Sequence, residues 1–486
     1  MAEKIKVPAL EIKDTGTIQK IQKGLVKISG LPSCINGQLI ELGVDLLGMV
    51  IGFSEEEVLA LVLGDETKLT IGDVVYSEAG VFDVPVGNNF LGRIVNGFAR
   101  PIDGKAKIQE NDFYSIFTEA PGIVDRVPID QPLVTGIKMI DTCIPLGKGQ
   151  RELIIGDRVT GKTTLASDII LNQKEKDVIC IYCWIGGSFS SFTKLMQELR
   201  REGALDYSII VAAMASDSPA EQYLAPYTAC ALGEYFMHRG RDVLVVYDNL
   251  TRHAWVYRQL SLLLARSPGR EAYPGDIFYL HSRLMEKAAR LNNENGGGSM
   301  TFLPIVETQE GDVTGLIPSN LIAMTDGQIY LDTSLFHEGF KPAVDLGLSV
   351  SRIGNKVQSE AMREVSGQLK AEYARYRELV SLTRVRTKLS PEVETRLKKG
   401  EALCGLFVQD KNTLVSTEEQ IILFYAFDKN LPELFEAEKR EKFENNFFKY
   451  LQKERPQLIE RLVTQRALTE DIKRELDETF TSFFAV

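Results

Sequence analysis

The chain has 486 residues, of which 44% are hydrophobic and 25% charged, and its formal net charge is −11. This length is too great for one hydrophobic core and predicts roughly three domains. No apolar run approaches the ~20 residues that span a bilayer, and the acidic balance argues against a protein whose main task is to grip a nucleic-acid backbone. The N-terminus lacks the apolar core of a signal peptide, so we expect a cytoplasmic protein.

Residues 1–81 are predicted to form a small six-stranded β-barrel domain. Short alternating segments are separated by turn signals such as Asn36-Gly37, which is typical of a barrel or sandwich. No catalytic cluster is visible in this region, and we expect it to serve packing or ring formation. The predicted strands cover 17–25, 26–28, 38–42, 47–53, 58–63 and 73–77.

A phosphate-binding loop follows a connecting region rich in proline and glycine. The pattern Gly156-x-x-x-x-Gly161-Lys162-Thr163 comes after an apolar strand and opens a helix. In such a loop the backbone N–H groups surround phosphates, the lysine reaches the terminal phosphates, and the threonine offers its hydroxyl to Mg²⁺. The sequence therefore predicts a site for a nucleoside triphosphate.

Strands and helices alternate around this loop, as in a parallel sheet flanked by helices. This succession predicts a RecA-like α/β P-loop domain over residues 82–358. Its predicted strands are 152–155, 178–185, 208–213, 243–247, 300–306 and 320–324. Its predicted helices are 162–173, 192–201, 220–238 and 276–293. Cys180 and Cys183 lie three apart in one strand and should point to opposite faces as buried thiols.

Residues 359–486 are predicted to form a C-terminal α-helical bundle. Helical patterns with charged outer faces dominate this region. The predicted helices are 364–382, 391–403, 418–428, 433–452 and 469–484.

One carboxylate is predicted to complete the magnesium site. The apolar run 243–247 ends in Asp248, as expected for a buried parallel strand that opens on the nucleotide. Asp248 would hold Mg²⁺ through water, beside Thr163.

The catalytic acid of an ATPase is missing from its expected place. ATP hydrolysis needs a group that orients the attacking water, and RecA-like ATPases use a glutamate after the strand that follows the P-loop helix. No Asp or Glu occurs between Asp177 and Glu198. We expect nucleotide and Mg²⁺ binding with poor hydrolysis, unless a carboxylate arrives from elsewhere in the chain.

Arg352 stands where the α/β domain passes into the helices. Such an arginine is either an ordinary surface charge or a group that crosses into a neighbour's site and stabilises transition-state charge.

At this point the chain resembles the α subunits of rotary F-type ATP synthases over nearly its whole length. The matching blocks include Asp83-Val-Pro-Val-Gly87, Gln222-Tyr-Leu-Ala-Pro-Tyr227, Pro268-Gly-Arg-Glu-Ala-Tyr-Pro-Gly-Asp276 and Gly347-Leu-Ser-Val-Ser-Arg352. The resemblance implies a crown barrel, a RecA-like domain and a helical bundle. It also implies three such subunits alternating with three catalytic β subunits around a central γ shaft, on the inner face of the cell membrane and touching it only through the complex.

The resemblance also implies roles for individual residues. A noncatalytic Mg-ATP site would include Arg158, Thr160, Gly161, Lys162, Thr163, Thr164 and Asp248, with Gln409 and Lys411 at the adenine. Arg352 matches the arginine that reaches the catalytic site of an adjacent β subunit. No nucleic-acid partner is implied.

Several positions depart from the family pattern. Val159 replaces the usual glutamine after the P-loop arginine, Gly187-Ser-Phe189 replaces a Gln-Lys-Arg motif, and Asn249 replaces a second aspartate. These changes put tight nucleotide retention in doubt. The segment before Thr15 is also shorter than the family's N-terminal helix, which docks the δ subunit and peripheral stalk, so we expect stator attachment to differ or to use a replacement.

Three alternatives remain open from the sequence. The first is a specialised F1-like ATPase, for example one associated with gliding, that is not coupled to a proton channel. The second is a self-sufficient export ATPase, which would need a catalytic glutamate near Gly187. The third is an RNA translocase, against which the acidic balance and the lack of a basic, aromatic RNA-binding run both count.

Overall fold

The computed structural model describes residues 13–44, 46–53, 56–109, 112–264, 266–383 and 390–484. Within these ranges the chain forms an N-terminal β-barrel, a central α/β domain with a mainly parallel sheet, and a C-terminal helical domain. This is the predicted fold class. The boundaries after residues 81 and 358 stay predictions, and most of the segment before Thr15 lies outside the described residues.

The N-terminal strands close into a barrel. They are β1 (Thr15–Gln22), β2 (Leu25–Gly30), β3 (Gln38–Gly43), β4 (Leu46–Phe53), β5 (Glu57–Val62) and β6 (Val74–Val81). The order around the barrel is β1-β2-β5-β4-β3-β6. One predicted segment, 17–25, runs too far: the chain turns at Lys23 and Gly24, both with positive φ, which ends β1 at Gln22 and places Leu25 in β2.

A connecting region leads from the barrel to the main sheet. It contains β7 (Asp83–Val86), β8 (Ile94–Val95), β9 (Asp112–Ser115) and α1 (Lys138–Cys143). β7 and β9 form an antiparallel pair, and β8 joins the edge of the main sheet.

The main sheet carries the phosphate-binding loop near its middle. Its further strands are β10 (Leu153–Gly156), β11 (Val178–Gly187), β12 (Ser208–Met214), β13 (Asp242–Asp248), β14 (Ala289–Arg290), β15 (Ser299–Glu307), β16 (Gly327–Leu331) and β17 (Val350–Ser351). The order is β17-β16-β10-β15-β13-β11-β12-β8, with β14 beside β15. All pairings are parallel except those of β14 and β17. The carboxyl ends of β10, β11, β13 and β15 therefore meet along one edge.

Helices cover both faces of this sheet. They are α2 (Lys162–Leu171), α3 (Phe189–Arg201), α4 (Pro219–Met237), α5 (Leu250–Leu263), α6 (Ile277–Met285), α7 (Leu316–Met324) and α8 (Thr333–His337). The two faces belong to separate hydrophobic clusters, one with Cys180 and the other with Cys183. Both thiols are buried and free, which confirms the prediction for this pair.

Two predictions for this domain are wrong. The segment 320–324 belongs to α7 and is not a strand, because a short apolar run fits a buried helix as well as a strand. The strand at this place in the sheet is β16. The helix predicted over 276–293 ends at Met285, where the chain turns toward β14.

Helices make up the C-terminal domain within the described residues. They are α9 (Glu360–Ser366), α10 (Leu369–Thr383), α11 (Pro391–Phe407), α12 (Thr417–Asp428), α13 (Ala437–Glu454), α14 (Pro456–Gln465) and α15 (Glu470–Phe484). Their core includes stacked and edge-on rings of Phe443, Phe447, Phe480 and Phe483. Across the described ranges, no helix combines the length and the apolar character that crossing a membrane requires.

Candidate nucleotide site

The phosphate-binding loop connects β10 to α2. Gly161 precedes the helix with φ of 97°, a conformation that glycine adopts without strain. The Lys162 side chain is 7% exposed, and its ammonium donates hydrogen bonds to the carbonyl oxygens of Gly156 (2.9 Å) and Asp157. Burial lowers the pKa of Lys162, while nearby carboxylates, Glu307 foremost, oppose this shift. The ammonium thus lies folded within the loop where phosphates would take over its hydrogen bonds.

Thr163 and Asp248 meet directly, as predicted for a magnesium pair. The Thr163 hydroxyl donates to Asp248 Oδ2 at 2.8 Å, and the Tyr182 hydroxyl donates to the same oxygen at 2.7 Å. Asp248 is 5% exposed, and burial raises its pKa. A threonine hydroxyl beside a carboxylate matches the hard oxygen ligands that Mg²⁺ prefers. Thr163 and Asp248 therefore fit a magnesium ion, which would neutralise phosphate charge at this place.

A cavity of about 340 Å³ opens beside the loop, where a base would lie. Its lining includes the predicted residues Thr160, Gly161, Thr164, Gln409 and Lys411, together with Asp168, Phe336, Lys341 and Pro342. The Thr160 hydroxyl donates to the Asp157 carbonyl at 2.8 Å, so this side chain supports the loop. Burial raises the pKa of Asp168 to about 6.

The amide of Gln409 is already occupied at both ends. Its Oε1 accepts a hydrogen bond from the Lys138 N–H at 2.9 Å, and its Nε2 donates to the carbonyls of Gly136 (2.8 Å) and Thr413 (2.6 Å). Lys411 lies 3.5 Å from a Glu198 carboxylate oxygen. In this structure Gln409 shapes the wall of the base cavity, and both hydrogens of its Nε2 are engaged with backbone carbonyls.

Glu307 was not predicted as a site residue, yet it lies at the centre of the phosphate region. It ends β15, and its backbone pairs with Gly156 of the loop. Its carboxylate accepts hydrogen bonds from Arg158 Nε (3.0 Å), Asn249 Nδ2 (2.8 Å) and an Arg252 guanidinium nitrogen (3.2 Å). The available signal was a carboxylate that directly follows the predicted strand 300–306.

We expect Glu307→Gln to tighten Mg-ATP binding roughly fivefold, or about 1 kcal/mol. The carboxylate holds two guanidinium groups and repels incoming phosphates, so its neutralisation frees Arg158 and Arg252 for the nucleotide. Titration of the purified variant with a fluorescent ATP analogue measures the change. The matched variant Glu310→Gln, at an exposed loop position, should bind as the unaltered chain does. Weaker binding of Glu307→Gln would instead indicate that Glu307 assists the magnesium ion.

No carboxylate lies between β11 and Glu198 of α3, and the packing around Gly187 shows why a side chain does not fit there. A Cβ on Gly187 would lie 2.2 to 2.6 Å from three atoms of the Trp184 indole ring. Trp184 packs on Phe192, with ring centroids 5.9 Å apart. The aromatic pair thus fills the space that a side chain at position 187 would need, including that of a water-orienting glutamate.

We expect Gly187→Ala to lower the free energy of unfolding by about 2 kcal/mol, because the new methyl group overpacks the Trp184 ring. Urea denaturation followed by tryptophan fluorescence measures this loss. The control is Gly275→Ala, since a Cβ there meets nothing within 4 Å and should change stability by less than about 0.5 kcal/mol. Equal stability of the two variants would contradict the packing argument.

Arg352 lies near the amino ends of β10 and β16, whereas the phosphate-binding loop lies at the carboxyl end of β10. It follows β17, whose Ser351 pairs with Gly327 at the start of β16, whereas the loop follows the carboxyl end of β10. The length of the four-residue strand β10 separates these two ends of the sheet by at least roughly 13 Å. The Arg352 side chain is exposed, and among the described residues its guanidinium forms no ion pair. It is therefore placed for contact outside its own nucleotide site.

Arg158 and Asn249 have defined partners in addition to Glu307. The Arg158 guanidinium lies over the Trp255 ring at 5.9 Å from its centroid. The Asn249 Oδ1 accepts from the Arg252 N–H at 2.9 Å, which caps the start of α5. The departure from aspartate at position 249 thus leaves a capped helix and one more hydrogen bond to Glu307.

Comparison with known proteins identifies relatives for each part of the chain. The ATP synthase alpha/beta family matches through its beta-barrel domain (residues 12–78), its nucleotide-binding domain (136–351) and its C-terminal domain (358–483). The ATP synthase subunit alpha of Clostridium botulinum strain Hall is 47% identical over 474 residues, which cover 98% of this chain and 94% of the relative. The protein of the same name in strain Eklund 17B is 46% identical over 470 residues, with 97% and 93% coverage.

Proposed function

Because the chain belongs to the ATP synthase alpha/beta family, we propose that it binds Mg-ATP without hydrolysing it and supplies Arg352 to catalysis on a neighbouring subunit. The chain is an alpha subunit of an F1-type ATP synthase or ATPase complex, as its sequence resemblance implied. The finer assignments that follow are proposals for this chain.

One contrast carries the proposal. The loop, Lys162 and the Thr163–Asp248 pair form a nearly complete Mg-nucleotide site, while Gly187 and Trp184 occupy the place of the water-orienting acid. Glu307 also lies in the phosphate region, but two arginines and an asparagine hold its carboxylate. A carboxylate that accepts these three hydrogen bonds is not free to orient an attacking water.

Each residue of the site has a specific binding task. Lys162 and the loop N–H groups bind the phosphates, and Thr163 and Asp248 hold Mg²⁺, the latter through water. The ion neutralises charge on the β and γ phosphates when bound. The base lies in the cavity lined by Phe336 and Pro342, beside Gln409 and Lys411.

The proposed partners follow from the family. Three copies of this chain alternate with three β subunits around a γ shaft, with δ and a peripheral stalk or a replacement as stator. The exposed position of Arg352 at the sheet edge away from its own loop supports a role in the adjacent β site. The complex would attach to the inner face of the cell membrane, with this chain itself in the cytoplasm.

A reconstitution assay tests the noncatalytic assignment. The purified chain should bind a fluorescent Mg-ATP analogue and release no phosphate above background, and turnover should begin when β and γ subunits are added. Brisk phosphate release by the chain alone would refute the proposal. Native mass spectrometry of the complex then identifies the other subunits.

A specialised F1-like motor without a proton channel, for example one associated with gliding, is the second candidate. It is favoured by two apolar side chains at the altered positions of the nucleotide site, Val159 and Phe189, which are 85% and 70% exposed. Co-purification of a membrane proton channel with the complex would favour an ordinary synthase, and its absence would favour the specialised motor.

The two alternatives in which this chain would hydrolyse ATP by itself agree less well with the structure of the site. An export ATPase requires a catalytic glutamate near Gly187, where Trp184 leaves no room. An RNA translocase requires a basic nucleic-acid path, which a net charge of −11 does not favour.

A further inference from the structure

A buried carboxyl group lies beneath Arg352 and takes no part in the nucleotide site. Glu152 immediately precedes β10, and its side chain is fully buried. Its Oε2 accepts a hydrogen bond from Gln150 Nε2 at 2.7 Å, whereas within the described residues its Oε1 has no hydrogen-bond partner. A buried carboxyl with an unpartnered oxygen is costly, so its retention requires a specific reason.

Hydrogen bonds connect this carboxyl to the residue before Arg352. Gln150 Nε2 also donates to Ser351 Oγ at 3.3 Å, and the Ser351 hydroxyl donates to the Pro145 carbonyl at 2.9 Å. The other end of the Gln150 amide is fixed, since Oε1 accepts from the Gly147 N–H at 2.7 Å. Buried Glu152 and Gln150 and half-buried Ser351 thus form a hydrogen-bonded series that ends next to Arg352.

The strand pair that carries Arg352 lies directly against the carboxyl. Gly327 pairs with Ser351, and a Cβ on Gly327 would lie 2.5 and 2.9 Å from the two carboxyl oxygens of Glu152. The Arg352 N–H donates to the Asp326 carbonyl at 2.8 Å. Backbone contacts with Gly327 and Asp326 therefore hold Ser351 and Arg352, and the Glu152 carboxyl group packs directly against Gly327.

The charge of Arg352 also acts on Glu152. Burial raises the pKa of Glu152 well above its ordinary value, as does Asp326, whereas the Gln150 hydrogen bond and the Arg352 guanidinium lower it. The carboxylate of Asp326 is itself engaged by the Arg151 side chain at 2.7 and 3.0 Å. Asp326 is thus held by Arg151, whereas Glu152 Oε1 has no hydrogen-bond partner within the described residues.

We propose that Glu152 is a positioning residue for Arg352, holding the backbone that carries the guanidinium through its hydrogen bond with Gln150 and, from Gln150, through Ser351. This inference rests on the proposed trans role of Arg352. A preorganised charge stabilises a transition state better than a mobile one, so loss of this support should reduce turnover and leave nucleotide binding unchanged.

The test is Glu152→Gln in the complete reconstituted complex. At high pH, where Glu152 is ionised, turnover should fall about tenfold with KM within twofold, since small misplacement of a catalytic group is costly. As pH falls and Glu152 takes up a proton, unaltered and variant complexes should converge, so the ratio of their rates should rise with pH. Thermal stability should not decrease, because the substitution removes a buried ionisable group.

A second background separates this positioning role from a merely structural one. In complexes carrying Arg352→Lys, adding Glu152→Gln should cause no further loss. An equal tenfold loss in that background, or an unaltered rate of Glu152→Gln at high pH, would overturn the inference while the trans role of Arg352 stands. Normal turnover of Arg352→Lys and Arg352→Ala complexes would instead refute the proposed function.

Discussion

Replacing Arg352 by alanine is expected to lower multisite ATP turnover of the assembled complex by about a thousandfold or more. The guanidinium would stabilise charge on the transferring phosphoryl group in the neighbouring site, and it does so only in the transition state, so kcat should fall while substrate binding persists. Mg-ATP binding to this chain should remain nearly unchanged, because its own loop lies at the other edge of the sheet. Steady-state phosphate release and analogue titration measure the two effects.

The control for this experiment is Arg375→Ala. Arg375 is an exposed helical arginine that pairs with Glu372 at 3.4 Å, and such pairs contribute little to stability. Turnover of this variant should stay within twofold of the unaltered complex. If the Arg352→Ala complex turned over at the normal rate, Arg352 would be an ordinary surface charge.

The sequence predicted most of the strands because their signals are local. β11 and β13 are continuous apolar runs that are buried on both faces of a parallel sheet, and the barrel strands are separated by glycine turns. The predictions failed where a local pattern fits two structures. Residues 320–324 are apolar throughout, and only the packing of α7 against its neighbours decides for a helix.

Helices α5 and α14 were not predicted, again because the local sequence does not mark their boundaries. α5 begins at Leu250 with only Asn249 between it and β13, so no loop in the sequence marks its start. α14 begins at Pro456, one residue after α13, and a proline is as common in the first turn of a helix as in a loop. Boundaries of this kind depend on tertiary contacts more than on composition.

In the nucleotide site, too, residues placed by a local motif were predictable, whereas residues whose roles depend on distant contacts were not. Lys162, Thr163 and Asp248 were predictable, since a motif and a strand end place them, and the structure brings all three together. Glu307 was missed because its role depends on the adjacency of β15 to β10, which the order of strands in the chain does not reveal. The engagement of the Gln409 amide depends on contacts with Gly136 and Lys138, more than 270 residues earlier.

The phosphate-binding loop and Arg352, for which we propose two different tasks, lie at opposite ends of the sheet. The phosphate-binding loop lies at the carboxyl end of β10, whereas Arg352 and Glu152 lie near the amino ends of β10 and β16. A substitution at one end should therefore leave the function of the other end largely intact. The proposed roles in nucleotide binding and in catalysis on the neighbouring subunit can therefore be measured independently in one chain.

Replacing Lys162 by glutamine is expected to weaken Mg-ATP binding to this chain about a hundredfold, or about 2.7 kcal/mol. The ammonium is buried and bonded only to two backbone carbonyls of the loop, so bound phosphates gain a strong charge-assisted interaction from it. Glutamine keeps the length of the side chain but supplies no charge. Analogue titration measures the affinity, and because burial lowers the pKa of Lys162, thermal stability without nucleotide should not fall.

Lys411→Gln provides the matched comparison, because this lysine lines the base cavity, is largely exposed and faces Glu198 at 3.5 Å. Solvent screens such a charge, so its loss should change binding by no more than about threefold. In reconstituted complexes, Lys162→Gln should retain most of the turnover that Arg352→Ala abolishes, since the reacting phosphates lie on the neighbouring subunit. If Lys162→Gln bound Mg-ATP normally, the loop would not be a phosphate site, and if it abolished turnover as Arg352→Ala does, the separation of binding from catalysis would fail.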